Sequence, residues 1–255
     1  MKLLILAGGL GSRISEESDL RPKPMVEIGG IPIIIHIMNY YAKFGVKEFV
    51  ICLGYKGELI KDYFSKLHLR NSDVVFDVGQ GSHEILFSRT PDWKVTLVET
   101  GVGTGTSGRI SMAQPYLGSE SFFMTYGDGL SDASLSAELE FHRRHGAHAT
   151  VLGVKQTPRF GLLEVEKESG KAISFSEKPT DDKYLVNGGF FILNPEVFSY
   201  LGDSSEMFEE SPLRKLAADG QLYSFPHDGF WKPMDTLKDK REFEQIWKSG
   251  AVPWT

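Results

Sequence analysis

The 255-residue sequence predicts an α/β fold in which a mixed, mostly parallel β-sheet is flanked by helices. Short apolar runs at 3–7, 48–53 and 121–126 are typical of strands that are buried on both faces of a sheet. Segments with apolar residues at helical spacing separate these runs, so strands and helices alternate along the first half of the chain. Such strands pair in parallel through right-handed crossovers, and ligands bind at their carboxyl ends.

The elements expected in the first half follow from apolar spacing and from the glycines and prolines that interrupt it. In chain order they are a strand at 3–7, a helix with Pro32 in its first turn that ends before Gly45, a strand at 48–53, a helix at 57–67, a hairpin at 73–87, a strand at 93–98, a helix from Arg109 to Tyr116, a strand at 121–126, a helix at 134–145 and a strand at 149–154. We expect the hairpin to be a small β-rich excursion at the rim of the sheet.

The second half is richer in strands. In chain order we expect a hairpin formed by 160–165 and 172–175, a strand at 184–193, a helix at 204–218 ended by Gly220, a strand at 221–225 and a final helix at 238–248. No repeat, low-complexity segment or linker interrupts the sequence. We therefore expect a single domain that covers residues 1–255.

Composition and charge narrow the class of protein. The chain is 41% hydrophobic and 24% charged, which excludes a disordered protein, and its net charge of −6 argues against a nonspecific nucleic-acid binder. Cys52 is the single cysteine and lies in an apolar run, so we expect a buried thiol and no multi-cysteine metal site. Because no signal peptide is recognised and no apolar run approaches ~18 residues, we expect a soluble, cytoplasmic protein with no membrane partner.

The first strand leads into a glycine-rich turn with cations nearby. Residues 8–11 read Gly-Gly-Leu-Gly, Arg13 follows, and residues 21–24 read Arg-Pro-Lys-Pro. Glycines let backbone N–H groups approach an anion closely, and prolines restrict the backbone that carries Lys23. The dinucleotide-binding pattern would need a glycine at Ile14, and the P-loop would need Gly-Lys-Ser/Thr. The segment therefore predicts a polyphosphate site of another kind.

Two further stretches place polar groups at the expected carboxyl edge of the sheet. The strand at 121–126 ends in Gly127-Asp128-Gly129, which would expose the aspartate to a ligand. The loop at 100–109 has four glycines between 101 and 108, and the helix expected to open at Arg109 would present an N-terminus that favours anions. We expect this loop to face the substrate.

Two segments at this spacing carry a resemblance to a known family. Leu6 to Arg13 reads LAGGLGSR, and Arg21 to Met25 reads RPKPM. Together they resemble the sugar-1-phosphate nucleotidylyltransferases, a family with a Rossmann-like, GT-A-like sheet. Further matches occur in the order of that family at Asp128 with its glycines, Glu177-Lys178-Pro179, Asn187-Gly188-Gly189 and Trp231 to Thr236.

Three segments resemble one group within this family more specifically, namely its cytidylyl-transferring members. These segments are Arg13 to Ser18, Arg159-Phe160-Gly161 and Gly229 to Asp235. The implied substrates are CTP and glucose 1-phosphate, the implied cofactor is Mg²⁺, and the implied assembly is a homo-oligomer, for example a hexamer. Residues 1–150 would form mainly the nucleotide-binding half, and 151–255 mainly the sugar-phosphate-binding half. The loop at 103–108 and residues 33–35 depart from the family pattern.

The resemblance also implies a role for each matching residue. The catalytic residues would be Arg13, Lys23, Asp128 and Asp235, with both aspartates as Mg²⁺ ligands. The nucleotide would be bound by Leu6, Ala7, Gly8, Gly9, Gly11, Ser12, Arg13, Lys23, Thr104, Arg109 and Gly127. The sugar phosphate would be bound by Glu177, Lys178, Asn187 and Gly188.

Three other functions remain open from the sequence. A uridylyl- or thymidylyltransferase would use the same scaffold with different contacts to the base. A non-catalytic protein that binds sugar nucleotides would be expected to lack Lys23, Asp128 or Asp235, and all three are present. A metal-dependent glycosyltransferase would normally carry an Asp-x-Asp pair, whereas Asp128 is followed by Gly129-Leu130.

Overall fold

The computed structural model describes residues 1–9, 20–155, 162–166, 169, 171–176 and 185–255. The strands in these ranges are β1 (Leu3–Leu6), β2 (Glu27–Ile28), β3 (Ile31–Pro32), β4 (Glu48–Leu53), β5 (Ser72–Asp77), β6 (Ser82–Ser88), β7 (Lys94–Glu99), β8 (Phe122–Tyr126), β9 (Gly129–Ser131), β10 (Ala149–Val154), β11 (Leu162–Val165), β12 (Ala172–Ser176), β13 (Val186–Leu193), β14 (Leu222–His227) and β15 (Trp231–Pro233). The helices are α1 (Ile33–Ala42), α2 (Gly57–Arg70), α3 (Thr106–Leu117), α4 (Leu135–His145), α5 (Ser211–Ala218) and α6 (Leu237–Ser249), with 3₁₀ helices at Lys23–Met25 and Pro195–Tyr200.

A seven-stranded sheet in the order β14-β10-β13-β8-β1-β4-β7 forms the centre of the molecule. Strand β1 pairs in parallel with β4 and β8, β4 with β7, and β10 with β14, whereas β13 runs antiparallel to both of its neighbours. The predicted fold class, a mixed and mostly parallel sheet flanked by helices, is confirmed. The carboxyl ends of β1, β4, β7 and β8 consequently lie along one edge.

Two apolar cores cover the two faces of the sheet. One core combines α1, α2, α4 and α6 with alternate strand residues such as Leu3 and Ile5. The other combines α3 and α5 with the residues that point the opposite way, such as Leu4 and Leu6. Because each strand buries side chains on both faces, its sequence reads as a continuous apolar run rather than an alternating one.

Local signals in the sequence fix the ends of several helices. Ser134 caps α4 by accepting a hydrogen bond from the Ala137 N–H at 3.3 Å, and Gly146 ends that helix with a φ of 66°. Thr236 and Asp239 form a reciprocal capping box at the start of α6. Asp235 immediately precedes this cap, and its backbone N–H also donates to the Asp239 carboxylate.

Two predicted helix boundaries are wrong. The helix expected at 204–218 begins only at Ser211. The residues before it are not helical, because backbone carbonyls of Ser204 and Glu206 accept hydrogen bonds from the start of α3. Helix α3 begins at Thr106 and not at Arg109, so Arg109 lies within its first turn. The first-strand, 57–67 and 184–193 expectations hold to within a few residues.

The hairpins expected at 73–87 and at 160–175 are confirmed by the β5–β6 and β11–β12 pairs within the described residues. The β5–β6 hairpin pairs with no strand of the central sheet. It leaves Phe76, Val78, Leu86 and Phe87 exposed. Among the described residues, no helix is both long and apolar enough to cross a membrane.

Candidate active site

The glycine turn and the Asp128 turn leave the sheet side by side. Leu6 of β1 is in register with Tyr126 of β8, so the residues that follow each strand emerge at the same edge. The Gly127 N–H donates to the Leu6 carbonyl at 3.1 Å, and the Ala7 N–H donates to the Cys52 carbonyl at 3.0 Å. The backbone of the predicted nucleotide-binding residues Leu6, Ala7 and Gly127 is therefore held by the sheet.

A short antiparallel ladder brings together two aspartates that are far apart in sequence. Strand β15 pairs with β9, so that Pro233 lies opposite Gly129. The ladder continues one step further, where the Met234 N–H donates to the Asp128 carbonyl at 2.8 Å. This register places Asp128 next to Asp235. The two-stranded ladder is the physical reason that residues from both halves of the chain share one site.

Lys23 lies between these two aspartates. Its Nζ atom is 2.7 Å from Asp128 Oδ2 and 2.7 Å from Asp235 Oδ1. Since both oxygens contact one nitrogen atom, they are separated by no more than twice that distance. One cation can thus contact both carboxylates.

Two prolines set the position of Lys23. Pro22 precedes a 3₁₀ turn that spans Lys23–Met25, and the Met25 N–H donates to the Pro22 carbonyl at 2.8 Å. Pro24 is buried against Gly127, where an added Cβ would lie 2.8 Å from Pro24 Cγ. The absence of a side chain at residue 127 thus lets the Lys23 segment approach the end of β8.

The two carboxylates keep Lys23 charged. Burial alone would lower the pKa of Lys23, but the charges of Asp128 and Asp235 and their hydrogen bonds raise that pKa above its usual value. The lysine side chain is 12% exposed, compared with 30% for Asp128 and 24% for Asp235. The result is a shielded cluster of one cation and two anions.

The donor set in this cluster fits Mg²⁺. Mg²⁺ is usually held by one or two carboxylates, with waters and substrate phosphates as its other ligands. Asp128 and Asp235 supply two hard oxygens at one place. In the part of the chain that the structure describes, no group of three or more His, Cys, Asp or Glu side chains could hold a metal. The arrangement therefore suits a metal that arrives with a phosphate ligand better than a fully protein-bound ion.

Arg109 supports the glycine turn from behind. Its side chain is buried and donates to the carbonyls of Leu53 and Gly8, each at 3.1 Å, and to the Thr100 hydroxyl. A Cβ at Gly8 would overlap this guanidinium, whereas a Cβ at Gly9 would meet no described atom within 4 Å. The sequence predicts that Arg109 binds the nucleotide, whereas in this structure its guanidinium donates to protein oxygens.

The start of α3 is likewise occupied by protein groups. The Gly105 N–H donates to the Ser204 carbonyl at 2.9 Å, and the Ser107 N–H donates to the Glu206 carbonyl at 3.1 Å. The Thr104 hydroxyl donates to the Thr100 carbonyl. The sequence predicts an anion at this helix start, but the structure places backbone carbonyls there. Two of the N–H groups at the α3 N-terminus are therefore already bonded within the protein.

A cleft beside the aspartates contains the described part of the predicted sugar-phosphate site. Asn187 and Gly188 line it, together with Asp128, Asp235 and Trp231. The Trp231 Nε1–H donates to the Gly188 carbonyl at 2.6 Å, and Asn187 Oδ1 accepts from the Gly189 N–H at 2.8 Å. Five predicted site residues lie outside the described residues: Gly11, Ser12, Arg13, Glu177 and Lys178.

A protein-family model described as "Nucleotidyl transferase" matches residues 2–245. The chain belongs to the nucleotidyl transferase family. It is 46% identical over 255 residues to the glucose-1-phosphate cytidylyltransferase of Salmonella typhi, with 100% of this chain and 98% of that protein covered. It is 45% identical to the probable glucose-1-phosphate cytidylyltransferase of Bacillus subtilis, with 100% and 99% covered.

A solved structure agrees with the fold. HddC from Yersinia pseudotuberculosis superposes with a TM-score of 0.71 at 24% identity, covering 96% of this chain and 99% of that one. The family membership and the fold together make this chain an enzyme that transfers nucleotidyl groups. Enzymes of this family typically use a divalent metal ion.

Three further residues lie at the candidate site, and none of them was assigned a role from the sequence. Tyr126 and Trp231 line the cleft, and Asp239 Oδ2 accepts from the Asp235 N–H at 3.1 Å. Asp239 had a signal in the sequence, because Thr236-x-x-Asp239 ahead of an amphipathic segment resembles a capping box. Tyr126 had none, since it reads as the last residue of a buried strand.

Proposed function

We propose that this nucleotidyl transferase transfers the cytidylyl group of CTP to α-D-glucose 1-phosphate, giving CDP-glucose and pyrophosphate. The observation that carries the proposal is the contact of Lys23 with both Asp128 and Asp235 at 2.7 Å, at the end of the glycine-turn strand. The choice of cytidine and glucose is supported by the full-length relatives, which are glucose-1-phosphate cytidylyltransferases.

The reaction requires charge stabilisation more than proton transfer. An oxygen of the sugar phosphate forms a bond to the α-phosphorus of CTP, and the bond from that phosphorus to the pyrophosphate oxygen breaks. The attacking oxygen is already an anion, so no general base is required. The protein must bring two polyanions together and stabilise the charge that develops on the leaving group.

Lys23 is suited to the central role in this step. Its ammonium group has three N–H donors, and two of them are directed at Asp128 and Asp235. The third can bond to an α-phosphate oxygen while the carboxylates fix the position of the nitrogen. The backbone N–H groups of Gly8 and Gly9 would contact the triphosphate, as would Gly11, Ser12 and Arg13 on the resemblance.

Asp128 and Asp235 would hold Mg²⁺, whose charge stabilises the negative charge of the leaving pyrophosphate. Asn187 and Gly188 line the adjacent cleft and would bind the sugar phosphate, together with Glu177 and Lys178 on the resemblance. The Asp239 carboxylate would keep Asp235 in place by accepting a hydrogen bond from the Asp235 backbone N–H. The two substrates would thus meet above the carboxyl ends of β1 and β8.

The proposal is tested by measuring pyrophosphate release with CTP, UTP and dTTP, each with glucose 1-phosphate and Mg²⁺. We expect CTP to give the highest kcat/KM and EDTA to abolish release. A higher kcat/KM with UTP or dTTP would replace the cytidylyl assignment with the corresponding uridylyl or thymidylyl activity. Binding of sugar nucleotide without release from any of the three would indicate a non-catalytic binding protein.

A further inference from the structure

The carboxylate of Glu209 accepts hydrogen bonds from two hydroxyl groups that belong to different parts of the fold. Its Oε1 atom accepts from the Tyr126 hydroxyl at the end of β8, and its Oε2 atom accepts from Thr106 Oγ1 at 2.7 Å. The Phe208 N–H donates to the same Thr106 oxygen at 2.7 Å. The Tyr126 and Thr106 hydroxyl groups both donate to the carboxylate, so Glu209 links the end of β8 to the start of α3.

On one side of Glu209, its partner Tyr126 forms part of the wall of the cleft that Asn187 and Asp128 also line. The ring lies directly against Gly189, whose φ is +77°, and a Cβ there would lie 2.6 Å from Tyr126 Cδ2. The Tyr126 hydroxyl donates to Glu209 from this wall of the cleft.

On the other side of Glu209, Thr106 is the first residue of α3, and the loop at 100–105 precedes this helix. Arg109 connects this loop to the glycine turn, since its Nη2 atom donates to the Gly8 carbonyl at 3.1 Å and to the Val102 carbonyl at 3.5 Å. Residues 204–206 bond to the same helix start through two backbone carbonyls. The glycine turn, the α3 start, the 203–210 segment and the cleft are therefore connected by direct contacts.

We propose that Glu209 is a positioning residue for the sugar phosphate, which holds Tyr126 in the cleft wall and fixes that wall relative to the α3 start. The proposal rests on the proposed function, because it assigns the cleft to the sugar-phosphate substrate. The Thr106 bond orients the carboxylate, and the carboxylate orients the phenol. Loss of any member frees the ring and changes the shape of the cleft, while Lys23, Asp128 and Asp235 keep their own contacts.

The test compares the wild type with Glu209→Gln, Tyr126→Phe and the double variant by steady-state kinetics. An amide offers one acceptor oxygen in place of two, so we expect Glu209→Gln to raise KM for glucose 1-phosphate roughly five- to twentyfold, the effect of a lost hydrogen bond. We expect kcat and KM for CTP to change less than about twofold, because the contacts that bind the nucleotide are retained. Tyr126→Phe and the double variant should give the same increase in KM, because both remove one shared interaction.

The matched control is Glu210→Gln, which makes the same chemical change at the next residue, where the side chain is exposed. It should leave every kinetic constant and the Tm unchanged. The proposal is overturned if Glu209→Gln raises KM for glucose 1-phosphate no more than this control does, or if it lowers Tm while KM for both substrates changes equally. If Glu209→Gln does not fold, Thr106→Val must show the same selective increase. A wild type without pyrophosphate release would instead refute the proposed function.

Discussion

At the scale of single residues, the site depends on one lysine shared by two aspartates. Removing an ammonium from a shielded cluster leaves two like charges close together, which costs more than removing an exposed ion pair. The hydrogen bonds of Lys23 to Asp128 and Asp235 also hold its nitrogen at one position. We therefore expect Lys23 to act mainly in the transition state, where negative charge around the α-phosphorus is greatest.

We expect Lys23→Ala to lower kcat by roughly 10²- to 10³-fold, the usual effect of removing one transition-state charge contact. KM for CTP should change little, because the glycine turn would still bind the triphosphate on the proposed function. Steady-state kinetics at saturating Mg²⁺ would measure both constants. An increase in KM with unchanged kcat would show that Lys23 contributes to ground-state binding instead.

Glu138 is a second residue with an unusual environment. It lies in α4, is 1% exposed, and has an Oε1 atom without a hydrogen-bond partner among the described residues. Burial raises the pKa of its carboxyl group from 4.5 to about 8. We therefore expect this carboxyl group to be mostly protonated at neutral pH.

The raised pKa of Glu138 predicts a pH dependence of stability. The folded state binds the proton more tightly than the unfolded state, so this contribution is complete below pH 4.5 and is lost as the pH rises through about 8. Burial lowers the pKa values of the histidines His36, His142 and His145, which contribute a slope of the opposite sign, so the contribution of Glu138 is measured as a difference. Urea unfolding across this range should show the free energy of unfolding of Glu138→Gln, which does not titrate, rising relative to that of the wild type as the pH increases. A constant difference between the two proteins would disprove the assignment.

At the scale of elements, the glycine turn depends on a buried arginine beneath it. Gly8 has no room for a side chain because the Arg109 guanidinium occupies the position of its Cβ, whereas Gly9 faces open space among the described atoms. The same guanidinium also binds the Leu53 carbonyl at the end of β4. One side chain thus joins the carboxyl ends of β1 and β4.

Gly8→Ala and Gly9→Ala form a matched pair for this arrangement. Overpacking against Arg109 should lower the free energy of unfolding by about 1–3 kcal/mol for Gly8→Ala. Gly9→Ala should leave it within about 0.5 kcal/mol of the wild type. Urea unfolding of both variants measures the difference. Equal stabilities would mean that Arg109 moves away without cost.

At the scale of the whole molecule, the sheet could be predicted from the sequence, whereas the contacts that assemble the site could be predicted only in part. The apolar runs of β1, β4 and β8 and the capping signals of α4 and α6 carry local information, and the structure matches them closely. The meeting of Asp128 and Asp235 depends on the β9–β15 ladder, whose strands have three residues each and no distinct local pattern. Residues 204–210 are not helical, contrary to the prediction, because they bond to the start of α3, which is distant in sequence.

The β5–β6 hairpin bears on the expectation of a homo-oligomer. An isolated hairpin is only marginally stable in water, and large exposed apolar patches often mark interfaces. Phe76 is 59% exposed and Leu86 is 62% exposed. We expect light scattering to give a multiple of the 28.5 kDa chain mass. The double variant Phe76→Asp/Leu86→Asp should lower that mass, and an unchanged mass would place the subunit contact elsewhere.

The central claim is that Asp128 and Asp235 act together on one cation next to Lys23. It is tested most directly by the rate of pyrophosphate release from CTP and glucose 1-phosphate in Asp128→Asn and Asp235→Asn, each at increasing Mg²⁺. We expect each variant to lose at least about a hundredfold in kcat with the fold retained by circular dichroism, because a neutral amide is a poor Mg²⁺ ligand. Wild-type kcat in either variant at saturating Mg²⁺ would contradict the account.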